Sequence, residues 1–338
     1  MRSWRIISLS VTLALLQGCG TDFSEKPSEY MTPNLTESSS VQNSRLESKG
    51  WVQVWGDEFN LPDLDRSKWE AEVSCWGGGN NEQQCYTDRS ENIFLEDGIL
   101  KIRAQREDAE GPKYPQDYHD RGPTLTRRYS SGKVRTRERA SWKYGRIEAR
   151  MKLPKGQSTW SAFWMLPSDD IYGGWPLSGE IDILEAVNLG AICDDCNEAN
   201  VEFRTSAALH FGKKWPDNVF ITDKHSLASL KAADDYHEFA VEWGEGHIDW
   251  FVDGKKFFSA TSDDWFTDAV KKSDNVNAPF DQAFYLMFNL AVGGNLPDSN
   301  NEKRFNPSSF PRELWIDWVR VYQCSTDREQ GLICMKQL

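Results

Sequence analysis

Between Gly179 and Glu185 the chain reads Gly-Glu-Ile-Asp-Ile-Leu-Glu, which places three carboxylates, Glu180, Asp182 and Glu185, within six positions. Acids held this close cannot all ionise easily, so at least one is pushed to a higher pKa. One protonated and one ionised carboxyl is the pair that acid-assisted cleavage of a glycosidic bond uses. Trp160, Phe163, Trp164 and Trp175 precede the run, and Phe203 and Phe211 follow it. Rings beside acids suit a cleft that stacks on sugars, with Trp160, Trp164 and Trp175 as the stacking candidates. The competing reading is an exposed acidic strand whose charges are simply solvated.

A strand must carry the acids, because Ile181, Ile183 and Leu184 give the run β character. Alternation then puts Glu180 and Asp182 on one face and Glu185 on the other. A β-bulge, one extra residue in the strand, brings Glu185 back to the shared face. Elsewhere the alternation is plain. Residues 98–104 and 145–153 read as strands, and 247–252, Asp253-Gly254 and 255–258 read as a hairpin on an Asp-Gly turn. Helical periodicity is scarce, with room for a turn or two over 226–235. The sum is an all-β sandwich in one domain over 51–325, with no internal repeat.

Several stretches in order resemble glycoside hydrolase family 16 in its laminarinase-type form. The acidic run matches the signature E-x-D-x-x-E. Around it stand Gly56-Asp57-Glu58-Phe59-Asn60, Tyr144-Gly145-Arg146-Ile147-Glu148-Ala149-Arg150, Trp160-Ser161-Ala162-Phe163-Trp164-Met165-Leu166, Leu209-His210-Phe211-Gly212, Asn289-Leu290-Ala291-Val292-Gly293-Gly294-Asn295 and Ile316-Asp317-Trp318-Val319-Arg320-Val321-Tyr322. The resemblance implies a β-jelly roll of two curved antiparallel sheets with a concave substrate cleft. It implies Glu180 as nucleophile, Glu185 as general acid and then base, and Asp182 as the group that tunes Glu180, in a double displacement with retention. Asn81 and Glu82 match a loop near the non-reducing side of the cleft. Arg135 and His210 are further substrate-side candidates, each with a structural reading beside it. A calcium far from the chemistry is implied at Glu58, Gly98 and Asp317, against the plainer reading that these acids pair with basic neighbours. The chemistry itself needs no cofactor.

Composition agrees with a neutral polysaccharide substrate. The formal net charge of -13 argues against nucleic acid and disfavours encounter with a polyanion. The resemblance to laminarinases implies β-1,3-glucan of the laminarin type as the substrate. Mixed-linkage glucan, a marine galactan, or binding without cleavage on the same fold are the alternatives. A monomer is expected.

The first residues read as an export signal: Arg2 and Arg5, then an apolar run over 6–16 too short to span a bilayer. Leu16-Gln17-Gly18-Cys19 resembles a lipobox, with Cys19 the lipidated residue after a signal over 1–18. Residues 19–50, rich in Ser, Glu, Asn and Thr, read as a disordered tether. An outer-membrane lipoprotein or a secreted protein is expected. Removing Cys19 from seven cysteines leaves six, an even set suited to an oxidising compartment. They fall into near neighbours, Cys75 with Cys85, Cys193 with Cys196 and Cys324 with Cys334, and disulfides are expected in that pairing. Cys193-x-x-Cys196 also reads as a redox pair or half a metal site. Residues 326–338 read as a C-terminal tail stapled by Cys334.

Overall fold

The computed structural model describes residues 44–336 apart from 195, 197, 230 and 270–274. The signal segment, Cys19 and most of the tether lie outside the described residues. The chain forms two large antiparallel sheets packed face to face. The first runs, in spatial order, β17 (Lys255–Thr261), β16 (His247–Val252), β15 (His237–Gly244), β10 (Gly145–Lys152), β19 (Arg312–Cys324), β5 (Ile99–Ala104) and β4 (Ile93–Glu96). The thirteen-residue β19 is long enough to share one edge: β5 pairs with residues 312–316 and β1 (Trp51–Asp57) with residues 319–324.

The second sheet runs β14 (Val219–Ser226), β13 (Arg204–Phe211), β12 (Glu180–Val187), β11 (Thr159–Pro167), β18 (Phe284–Val292), β9 (Lys133–Arg135) and β2 (Glu70–Ala71). Two small ribbons complete the set: β3 (Gln84–Tyr86) beside β8 (Tyr129–Ser131), and β6 (Ala109–Pro112) beside β7 (Thr124–Arg127). This is a jelly-roll sandwich, as expected.

Alternation sorts each strand of the second sheet between core and outer face. On β18, Phe284, Leu286, Phe288, Leu290 and Val292 enter the core, where they meet Leu100, Ile147, Val241 and Val319 of the first sheet. Tyr285, Met287, Asn289 and Ala291 therefore point the other way. Residues paired across an antiparallel ladder share a face. The register thus carries this outer face across the whole sheet and fixes which side chains meet on it. The Asp253-Gly254 turn behaves as read, with φ of 50° and 70° at its two residues, as a two-residue hairpin loop demands.

One boundary differs from expectation. Residues 44–48 are helical, and Leu46 is buried against Trp51, Tyr322, Cys324, Cys334 and Met335. The domain therefore starts before residue 50, because one apolar side chain has a pocket to fill. Residues 226–235 begin as the end of β14 and, among the described residues, hold the short 3-10 turn Ala232–Asp234, within the turn or two expected there.

Candidate active site

The bulge is present where the parity of the acids demanded it. From Asp182 to Glu185, β12 advances three residues while β13 advances two, from Ala208 to Ser206. On the other side, Phe163 pairs with Leu184 and Trp164 with Asp182, which leaves Ile183 unpaired. Ile183 and Leu184 both enter the core, and Glu185 returns to the face of Glu180 and Asp182. The Asp182 carbonyl at the bulge accepts from Trp250 Nε1 at 3.0 Å. Trp250 lies on β16, so the opposing sheet holds the irregular backbone that places the acids. Gly179 opens the strand at φ 86°, and a Cβ there would come within 2.8 Å of the Phe280 ring. No other residue fits that entry without displacing core.

Around the acids the register assembles the expected neighbours. Glu180 pairs with His210, and Glu185 with Ala162 on one side and Ser206 on the other. The Trp160 indole donates to Glu185 Oε1 at 3.0 Å. The Trp175 indole donates to Glu180 Oε2. Trp175 is held above the strand by a short loop that Ser178 braces, its hydroxyl donating to the Gly173 carbonyl at 2.7 Å. His210 Nε2 lies 3.4 Å from Asp182 Oδ2, and the imidazole stacks on Phe220 at 5.4 Å.

Electrostatics separate the three carboxyls. Asp182 is buried and stands well above the usual carboxylate range, chiefly through burial, then through repulsion from Glu180 and Glu185. It shares a hydrogen bond with Glu180. A protonated Asp182 donating to Glu180 leaves that carboxylate oriented for attack. Glu185 is also raised: burial is the largest cause, the nearby His210 opposes it, and Glu180 reinforces it. A carboxyl whose hold on its proton is strengthened in this way can serve as a general acid. The cluster sets three carboxyls on one surface, two of them raised, an arrangement that retaining cleavage can use.

Trp164 is positioned from below. Its indole donates to Asn289 Oδ1 at 2.7 Å, Asn289 Nδ2 donates to the Tyr86 hydroxyl at 3.1 Å, and that hydroxyl donates to Glu82 Oε2 at 3.4 Å. The Lys133 ammonium sits 4.8 Å from the Trp164 ring centroid. Asn289, Tyr86 and Lys133 were not singled out from the sequence as site residues. The signal for Asn289 was its phase: it is polar at a cleft-side position of an otherwise apolar strand.

Other expectations land differently. Glu82 is turned inward, buried and bonded by Gln84 Nε2 at 2.6 Å, so it anchors Tyr86 and does not line the cleft. Asn81 is exposed and joins the loops by donating to Asn295 Oδ1 at 2.8 Å. Arg135 is on the cleft side of β9 but is buried among Glu70, Glu72 and Asp117, at 2.8, 3.5 and 2.8 Å. Glu58 grips Arg320 through both oxygens at 2.7 and 2.8 Å, Asp317 pairs with Arg150, and Gly98 forms the β4–β5 turn. Both carboxylates are thus neutralised by guanidinium groups, and as arranged they do not make a calcium cage. Cys75–Cys85 and Cys324–Cys334 form as expected, whereas Cys193 and Cys196 are thiols. Burial and the neighbouring Cys193 push the Cys196 thiol up to about 12.

Comparisons with known proteins agree with this geometry. Residues 51–324 match the family model described as Beta-porphyranase A-D, GH16 domain. The chain is 40% identical over 283 residues to glucan endo-1,3-beta-glucosidase A1 of Niallia circulans, covering 81% of this chain and 38% of that protein. It is 37% identical over 277 residues to a beta-glucanase of Rhodothermus marinus, covering 81% of this chain and 85% of that protein. The structure superposes on the laminarinase from Rhodothermus marinus with a TM-score of 0.63 and 33% identity, over 80% of this chain and 97% of that one. With three acids on one bulged strand and this match across the sandwich, the chain belongs to glycoside hydrolase family 16 and is a glycoside hydrolase.

Proposed function

We propose that this enzyme is an endo-acting, retaining hydrolase of β-1,3-glucan. The observation that carries the chemistry is the bulge that sets Glu180, Asp182 and Glu185 on one face beside Trp160 and Trp175. Glu180 attacks the anomeric carbon while Glu185 protonates the departing oxygen. Glu185 then takes a proton from water as the glycosyl ester is hydrolysed. The glucan assignment is supported by the names of the two glucanase relatives.

A galactan is the second reading, favoured by the porphyranase description of the matching family model. Charge speaks against a sulfated one. The cleft-side cations of β9, Lys133 and Arg135, are neutralised by Glu72, Glu70 and Asp117. Product analysis on laminarin, mixed-linkage β-glucan, agarose and porphyran decides. Laminarin shortened by wild type, and untouched by Glu180→Gln and Glu185→Gln, is the expected result. Cleavage of a galactan alone would overturn the glucan reading.

We further propose that the protein is exported, lipidated at Cys19, tethered to a membrane by the residues before 44, and monomeric. Two disulfides suit an oxidising compartment. Loss of membrane fractionation in Cys19→Ala tests the anchor, and the sedimentation mass of the domain tests the monomer. Calcium at Glu58, Gly98 and Asp317 is a separate proposal, since it requires Arg320 and Arg150 to release both carboxylates. A calcium-dependent rise in Tm that Glu58→Gln removes supports it, and an unchanged Tm refutes it.

A further inference from the structure

The catalytic face is not open along its whole width. From β14 to β11 the cleft-side residues reach solvent, including Phe220, Lys224, His210, Glu180, Glu185, Trp160 and Trp164. From β18 onward they are more covered: Tyr285, Met287, Asn289, Arg135 and Glu72 are buried, and Lys133 and Glu70 are only partly exposed. At the far end the cover over β9 and β2 is the loop 113–123, which joins β6 to β7. It is bonded down along its length. Gln116 donates to Glu70 Oε1 at 3.0 Å and the Ala71 carbonyl at 2.8 Å, and accepts from the Val73 amide at 3.0 Å. Asp117 binds Arg135 at 2.8 Å and Arg137 at 3.4 Å. Arg121 donates to the Val73 carbonyl at 2.6 Å.

The loop carries an aromatic pair. Tyr114 and Tyr118 stack with centroids 5.3 Å apart, and Trp76 lies 6.3 Å from Tyr114. Tyr118 is 49% exposed, although its neighbours Gln116 and Asp117 are tied to the sheet. It lies within electrostatic reach of Glu72 on the catalytic face and of Asp170, in the loop that leads to Trp175. A large ring held flat on another ring, with half its surface free at the end of a sugar cleft, presents a stacking platform. From β12 to β9 there are three strand spacings, about 14 Å in all. That leaves room for a few sugar rings between the acids and the loop.

We propose that loop 113–123 closes the catalytic groove at its β9–β2 end, and that Tyr118, backed by Tyr114, is the last sugar-stacking position on that side. A chain longer than this span must end there or lift out of the groove. Lengthening the substrate toward this end therefore strengthens binding only up to Tyr118. The inference rests on the reading of this cleft as a polysaccharide groove, and it concerns the groove's length whichever glycan fills it.

The test is kcat/KM against chain length for β-1,3-linked gluco-oligosaccharides, and for agaro-oligosaccharides if the glucans are inert. Wild type is expected to gain with length and then level off. Tyr118→Ala is expected to lose roughly three- to tenfold on the longest oligomers, the range of one aromatic stacking contact, through KM. The shortest oligomers keep their rates, and Tyr118→Phe restores the long ones. Equal rates for Tyr118→Ala at every length, or an equal loss at every length, would overturn the proposal. Inert glucans with cleaved agaro-oligomers would overturn the glucan assignment while the same length series still judges Tyr118. Inertness of both series would overturn both.

Discussion

Asn289 offers a quantitative test of how the cleft is built. It is 6% exposed and makes two side-chain bonds, accepting from Trp164 and donating to Tyr86. Replacing it with Ala removes both. At a net 0.5–1.5 kcal/mol each, the loss is about 1–3 kcal/mol. For a domain of roughly 290 residues that is a Tm decrease of about 2–5 °C. The Lys133 ammonium over the Trp164 ring remains, worth about 0.5–1 kcal/mol, so the indole loosens without leaving. KM for glucan should rise severalfold with kcat nearly unchanged, the mark of lost uniform binding. Denaturant unfolding of Asn289→Ala, Trp164→Phe and the double variant measures the coupling directly. A coupling of about 0.5–1.5 kcal/mol is expected, the worth of the one bond the two residues share. Additive effects with an unchanged KM would refute the claim that Asn289 positions Trp164.

Further outcomes follow from the carboxyl cluster and the staples. Glu185→Gln should lower kcat/KM on polysaccharide by about 10²–10⁴, while an aryl glycoside with an acidic phenol, which needs little protonation, is spared; equal losses on both would contradict its role as acid. Because Glu185 is raised, activity should persist above the ordinary carboxylate range and fall as pH climbs through the raised value; Lys224→Gln, removing a positive charge that lowers it, should move this basic limb to higher pH. Asp182 binds its proton more tightly folded than unfolded, so stability should decline as pH rises from the ordinary Asp range through the raised value. Asp182→Asn should flatten that decline in a Tm-against-pH series, and an unchanged slope would count against the assignment. Replacing Cys75 and Cys85 together by Ala should cost about 3 kcal/mol in the chain-entropy account of a ten-residue separation, read by urea unfolding.

The acidic strand was legible because its parity forced a conclusion. Glu180 and Asp182 share a phase, Glu185 does not, and only an extra residue reconciles them. The hairpin over 247–258 was legible for a similar reason, its turn chemistry being local. What stayed hidden depends on distant chain. Arg135 looks like a free cation in sequence, yet Glu70 and Asp117 reach it from other segments. Glu82 is the exception with a local cause: Gln84 and Tyr86, two and four residues along, enclose its carboxyl. Glu58 and Asp317 gain arginine partners from neighbouring strands, Arg320 on β19 and Arg150 on β10. The partner that stabilises the bulge, Trp250, belongs to the opposite sheet and has no sequence signal for that task.

The two ends of the described domain meet at one place. Trp51 pairs with Cys324, the Ser325 amide donates to the Gly50 carbonyl at 2.9 Å, and Leu46 packs on Cys334 and Met335. This junction lies on the sheet that does not carry the acids. Joining the ends there with a few flexible residues, and opening the chain at an exposed turn such as Asp253-Gly254, should give a circular permutant with the catalytic strand order intact. Force applied through both ends of the described domain would act on the β1–β19 pair, leaving the bulged strand mechanically sheltered.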